Sequence, residues 1–157
     1  MLRYLWIAAV VFALDQASKL VAVELLIRHA EVNVLPFLNF TLVYNAGAAF
    51  GFLSNAPGWQ NPLFVVVALI ACALILVMVK RLGVNEVQVA VGLTLVLGGA
   101  AGNLADRLRY GYVVDFIDFF IGSWHFWTFN VADSAITIGA ILLLLDASGL
   151  GFRKRHS

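Results

Sequence analysis

The chain has 157 residues, 62% of them hydrophobic and 12% charged, with a mean hydropathy of +0.94. Soluble domains carry roughly 25% charged and 45–50% apolar residues, so this composition cannot cover a water-facing globule; it excludes soluble α/β enzymes, nucleic-acid binders and disordered chains. The net charge of +1 provides no bulk field to steer an acidic partner, and the single cysteine, Cys72 in an apolar run, permits no internal disulfide.

A helix needs ~20 mostly apolar residues to cross a bilayer. The first apolar segment, Tyr4 to Ile27, is interrupted by Asp15, Lys19 and Glu24. Arg3 ahead of an apolar run also fits a signal peptide. Asp15-Gln16-Ala17-Ser18-Lys19 follows at once, however, with no small-residue cleavage site, so a retained helix is expected. Asp15 and Lys19, four apart, share a helical face and can neutralise each other. Leu35 to Tyr44 is aromatic and β-branched, ends at Asn45-Ala46-Gly47, and reads as a strand.

Leu63 to Val79 carries no charge, and neither does Val87 to Ala105, where Gly98, Gly99 and Gly102 predict close helix packing. Tyr110 to Ile121 and Trp124 to Phe129 are again strand-like, and Phe129 to Leu145 holds one acid, Asp133, near its start. The expected fold is an all-α integral membrane protein of four transmembrane helices, at about 4–27, 61–80, 86–105 and 129–149. Strands from the two long loops would pair into a small extracytoplasmic β-sheet as a cover at the interface. All of 1–157 reads as one domain. Arg3, Lys80-Arg81 and Arg153-Lys154-Arg155 hold six of the ten basic residues and fall on one side of a four-helix arrangement. By the positive-inside rule both termini are then cytoplasmic, and the loops Arg28–Asn61 and Asp106–Thr128 face outward.

Charged groups cost roughly 2.5–3.5 kcal/mol at the membrane centre on insertion scales, so each one there needs a reason. Asp106, Asp115, Asp118 and Asp133 map to the outer ends of the third and fourth helices, with Asn103, Arg107 and Asn130. Asn103, Asp106 and Arg107 have the spacing of one helical face, and Asn130 and Asp133 stand three apart where a helix begins. Arg107 is expected to pair with Asp106 or Asp15, or to contact substrate. Asp118 is expected to be a solvated or interfacial charge. His125, between Trp124 and Trp127, reads as interfacial packing rather than a ligand, and Glu31, Glu86 and Asp146 as solvated. Two carboxylates held close cannot both ionise, so one retains a proton while the other acts as base. Such a pair activates water and protonates a leaving amine without a metal. A proton relay or ion path uses the same residue types.

Five blocks together resemble one family. They are Asp15-Gln-Ala-Ser-Lys19, Asn45-Ala-Gly-Ala-Ala-Phe50, Gly99-Ala-Ala-Gly-Asn103-Leu-Ala-Asp106-Arg107, Val113-Val-Asp115-Phe116, and Phe129-Asn130-Val-Ala-Asp133-Ser134. In this order they are similar to the motifs of bacterial lipoprotein signal peptidase, signal peptidase II. The resemblance implies a cofactor-free, metal-free aspartyl endopeptidase of the inner membrane. Its substrates would be prolipoproteins whose future N-terminal cysteine carries a diacylglyceryl group, cleaved just before that cysteine. It implies Asp115 and Asp133 as the catalytic dyad, Asn103, Asp106, Arg107 and Asn130 as site-shaping residues, and Asp15, Lys19 and Asn45 as further support. Globomycin-type cyclic peptides are implied as inhibitors and membrane lipid as a partner.

Two rivals remain at this stage: a proton-coupled transporter and a non-catalytic membrane scaffold. A transporter path expects polar groups at successive depths, whereas the second helix has none and the inner half of the fourth only Asp146 at its edge. A metallopeptidase is disfavoured by the absence of H-E-x-x-H.

Overall fold

The computed structural model describes residues 1–28, 30–47 and 59–149. Phe50 of the Asn45–Phe50 block and the basic tail Arg153-Lys154-Arg155 lie outside the described residues. A short 3₁₀ turn leads into α1 (Leu5–Leu25), followed by β1 (Val32–Leu35), β2 (Leu38–Asn45), α2 (Gln60–Arg81), α3 (Val87–Tyr110), β3 (Val113–Ile121), β4 (Trp124–His125) and α4 (Val131–Ala147). Three helical segments, Leu2–Leu25, Gln60–Arg81 and Val87–Tyr110, are long and apolar enough to cross a membrane. The chain is thus a mostly helical, multi-pass membrane protein with a small antiparallel sheet.

α3 is the hub and packs against α1, α2 and α4. Its glycines permit this. A Cβ at Gly98 would stand 2.7 Å from the Ala8 carbonyl oxygen of α1, and one at Gly99 2.4 Å from that of Ala132 in α4. Close backbone approach compensates for the missing hydrophobic drive between helices in lipid. Gly92 and Gly139 form a further contact of this kind, since a Cβ on Gly139 would lie 2.6 Å from the Gly92 carbonyl oxygen. α2 is the least buried span, with Ile75 and Val79 packed beside Ala8, Leu93 and Leu97.

The sheet has the order β1-β2-β3-β4, all pairs antiparallel. The expected pairing between the two loops is present, Asn39 standing opposite Asp118 and Val43 opposite Asp115. An extra residue bulges β2 between Phe40 and Val43. Three boundaries differ from expectation. The run Leu35–Tyr44 is broken by a turn at Pro36-Phe37, where proline fixes its own φ and has no N–H to give a ladder, so it supplies two strands. The run Trp124–Phe129 gives only a two-residue strand plus one bridge, Phe129 exchanging hydrogen bonds with Ile117. The third helix does not stop at Ala105: it continues to Tyr110, ended by Gly111 at φ 80°. The left-handed cap is cheap only for glycine, and it turns the chain straight into β3.

Candidate active site

Two polar clusters meet where the C-terminal halves of α1 and α3 and the N-terminal end of α4 face the sheet. The first is built on Lys19. Its ammonium lies 2.8 Å from Asp15 Oδ2 and 2.8 Å from Asp106 Oδ2, and donates to Asn103 Oδ1 at 3.0 Å. Asp15 and Asp106 are 0% and 2% exposed, Lys19 3%. Asp15 Oδ1 accepts the Ala132 N–H in the first turn of α4, and Asp106 Oδ2 accepts the Val114 N–H of β3. One buried ion cluster therefore fixes α1, α3, α4 and β3 relative to each other. Gln16, which the sequence reading passed over, closes it by donating to Asp15 Oδ2, to Asp106 Oδ1 and to the Gly102 carbonyl. An amide inside an apolar helix, next to Asp15, was the available signal.

Arg107 does not take part in it. The expected pairing with Asp106 or Asp15 is not made, because α1 packs against α3 and brings Lys19 to both acids. The guanidinium donates to the Gly47 carbonyl at 3.1 Å and lies 5.2 Å from the Phe64 ring centroid. It ties the segment after β2 to α2 and α3.

The second cluster surrounds Asp115 and Asp133. Asp115 is carried by β3, whose side-chain alternation turns it inward with Val113. Asn130 Nδ2 donates to Asp115 Oδ1 at 2.7 Å, and Asn45 Nδ2 to Asp115 Oδ2 at 3.0 Å. Asp133 sits in the first turn of α4, in a capping box. The Asn130 side chain accepts the Asp133 N–H at 2.9 Å, and Asp133 Oδ2 accepts the Asn130 N–H. Asp133 Oδ1 accepts Asn103 Nδ2 at 2.8 Å. Asn130 thus touches both acids. No basic side chain is hydrogen-bonded or ion-paired to either acid among the described residues. Burial first, and the charge of Asp133 second, push the Asp115 carboxyl up to about 7, against the lowering effect of the Asn45 and Asn130 hydrogen bonds.

Lys19 also fixes the orientation of an amide. An ammonium can only donate, so Asn103 must turn Oδ1 to Lys19 and therefore Nδ2 to Asp133. The ion cluster in this way sets which atom Asp133 meets.

Both acids line a cavity of about 580 Å³. Asn45, Asn103 and Arg107 join them at its polar end, while Phe126, Trp127, Ile136 and Ile138 make an apolar wall. All nine residues singled out from the sequence are thus brought into the two clusters or the cavity wall. Asp118, expected to be a solvated or interfacial charge, is not at this site and is not solvated. It is 4% exposed, hydrogen-bonded to Asn39 and to His125 on the other face of β3. The pleat is the reason, since residues 115 and 118 differ by an odd number.

The family model described as signal peptidase (SPase) II matches residues 7–148. The chain is 46% identical over 153 residues to the lipoprotein signal peptidase of Alteromonas mediterranea, covering 98% of this chain and 84% of that one. It is 50% identical over 146 residues to that of Shewanella baltica, covering 93% and 85%. A solved structure described as a bacterial membrane enzyme is 33% identical and superposes with a TM-score of 0.82, covering 97% of this chain and 93% of that one.

Proposed function

Because the chain belongs to the signal peptidase II family and so removes signal peptides from prolipoproteins as a membrane aspartic peptidase, we propose that Asp115 and Asp133 are its catalytic pair. The observation that carries this is the contrast in partners: these are the two buried or half-buried acids at the cavity held by neutral amides instead of an ammonium. A buried carboxylate pair with no cation bonded to it lowers its energy by keeping one proton. Asp115 is the site for it, being 2% exposed and raised to about 7. Asp133, at the positive end of α4, is the better seat for the charge.

The step then balances as follows. Asp133 takes a proton from a water whose oxygen bonds to the scissile carbonyl carbon, giving a tetrahedral intermediate. Asp115 gives its proton to the amide nitrogen, the C–N bond breaks, and a carboxyl and an amine leave. The proton left on the attacking oxygen passes to Asp115 as the carboxylate forms, and Asp133 gives its proton to the amine or to solvent, which restores the starting pair. Asn103, Asn130 and Asn45 hold the two carboxyls in position throughout, and Asp15, Lys19 and Asp106 hold the helices that carry them.

We place the site at the outer face of the inner membrane, with α4 as the fourth span and both termini cytoplasmic. A 17-residue helix is ~25 Å long, close to the hydrocarbon thickness. The whole chain then works as one polytopic domain. At this depth the diacylglyceryl chains of the substrate stay in lipid along the apolar wall of Phe126, Trp127, Ile136 and Ile138. The peptide bond before the modified cysteine reaches the acids. A globomycin-type cyclic peptide would occupy the same cavity. The test is incubation of the purified chain with a diacylglyceryl-modified precursor and its unlipidated twin. Only the first is expected to be cut, just before the cysteine; equal cleavage of both overturns the lipid requirement.

A further inference from the structure

The outer face of the sheet carries a second chemistry-bearing cluster, on the side of β3 away from Asp115. Asn33, Asn39, Asp118 and His125 supply one polar residue from each of the four strands, and Glu31 stands just before β1. They are chained across the sheet. Asn33 Nδ2 donates to Asn39 Oδ1 at 2.9 Å, Asn39 Nδ2 reaches Glu31 Oε2 at 3.3 Å and Asp118 Oδ2 at 3.4 Å, and His125 Nδ1 lies 2.8 Å from Asp118 Oδ2. His125 is aimed by stacking on Phe120, ring centroids 5.2 Å apart and planes 18° from parallel.

One ligand atom each from Glu31, Asp118 and His125 falls within 4.8 Å of the others. Two of these groups are carboxylates, and one of them, Asp118, is 4% exposed with an amide and an imidazole as its partners among the described residues. No lysine or arginine is paired with either acid among the described residues.

We propose that Glu31, Asp118 and His125 form a site for a divalent cation of the zinc type, separate from the peptidase centre, that clamps the β3–β4 hairpin to the segment before β1. Ligand lengths of about 2.0–2.1 Å in tetrahedral geometry place ligand atoms about 3.3 Å apart. The Asp118–His125 pair needs to open by about 0.5 Å from its 2.8 Å, with His125 in the neutral tautomer that carries its proton on Nε2 and leaves Nδ1 free to ligate. Exposed Glu31 closes the third side by rotation. Imidazole among the ligands favours zinc, nickel or copper over calcium or magnesium, which take all-oxygen shells. The clamp leads directly into Phe126 and Trp127, so it stiffens one wall of the cavity without touching the reacting atoms.

The test uses tag-free, full-length protein stripped with a chelator and titrated with zinc in competition with a chromophoric zinc indicator. One zinc per chain is expected, with a raised melting temperature. His125→Ala, an exposed hairpin position, is expected to weaken binding by at least about tenfold while leaving the apo melting curve in place. Glu31→Gln checks the second exposed ligand. No uptake at tens of micromolar zinc, uptake unchanged in His125→Ala, or tighter binding of calcium than of zinc overturns the proposal.

Discussion

Asp15 and Asp106 share one ammonium; Asp115 and Asp133 share only amides. Both pairs are held at the same end of the helices, and three of the four acids are fully buried, Asp133 being half-buried. Their partners separate them. Lys19 makes the first cluster an ion-paired joint between α1, α3, α4 and β3, one ammonium bonded to two carboxylates. The second pair has no cation bonded to it, since Lys19 and Arg107 act on it only through space, and in the proposed mechanism a proton takes the place that Lys19 fills next door. A buried acid becomes chemically available when its counter-charge is a proton.

The largest expected effects come from removing the second pair. Asp115→Asn and Asp133→Asn are each expected to lower kcat by about 10²–10⁴-fold, while a melting curve in detergent stays close to that of the parent. Either variant retaining activity breaks the contrast. Next comes the joint itself. Lys19→Met leaves two buried carboxylates facing each other and is expected to cost about 3–5 kcal/mol in chemical denaturation. Adding Asp15→Asn to Lys19→Met is expected to recover part of that loss.

Gly99→Ala is smaller, about 1–3 kcal/mol of overpacking, because its Cβ meets the Ala132 backbone oxygen at 2.4 Å. A thermal melt at matched lipid reads it.

pH sharpens the contrast without mutation. Asp115 has a folded value of about 7 against roughly 3.9 unfolded, so the folded state holds an extra proton between them. The sign follows: stability is greatest below about 4 and declines as pH rises towards 7, and kcat/KM is expected to fall as pH rises through about 7. In Asp133→Asn the decline in stability is expected to be shallower, since the charge of Asp133 is the second cause of the shift. An activity plateau to pH 9 overturns the assignment of the proton to Asp115.

Much of the site was legible because charge is scarce in this chain. An acid inside an apolar run has few explanations, so Asp15, Asp106, Asp115 and Asp133 were readable from position alone. The Asp15–Lys19 pair was readable too, since i and i+4 spacing is a local fact. What escaped depended on distant residues. Gln16 matters through Asp106, ninety positions away, and Gly92 through Gly139. Arg107 lost its expected acid to Lys19 because α1 approaches α3, which no local pattern states.

The sequence by itself determined an apolar, mostly helical membrane chain with a small sheet, and where its few acids fall along it. Hydropathy, periodicity and motif order are properties of neighbouring residues, and the bilayer penalises any other reading. Only the tertiary structure decided which acids share Lys19 and which are held by amides. It also decided that Asp118, three residues from Asp115, turns to the opposite face beside His125. Those outcomes depend on which backbones approach each other, and charge compensation is set by that approach.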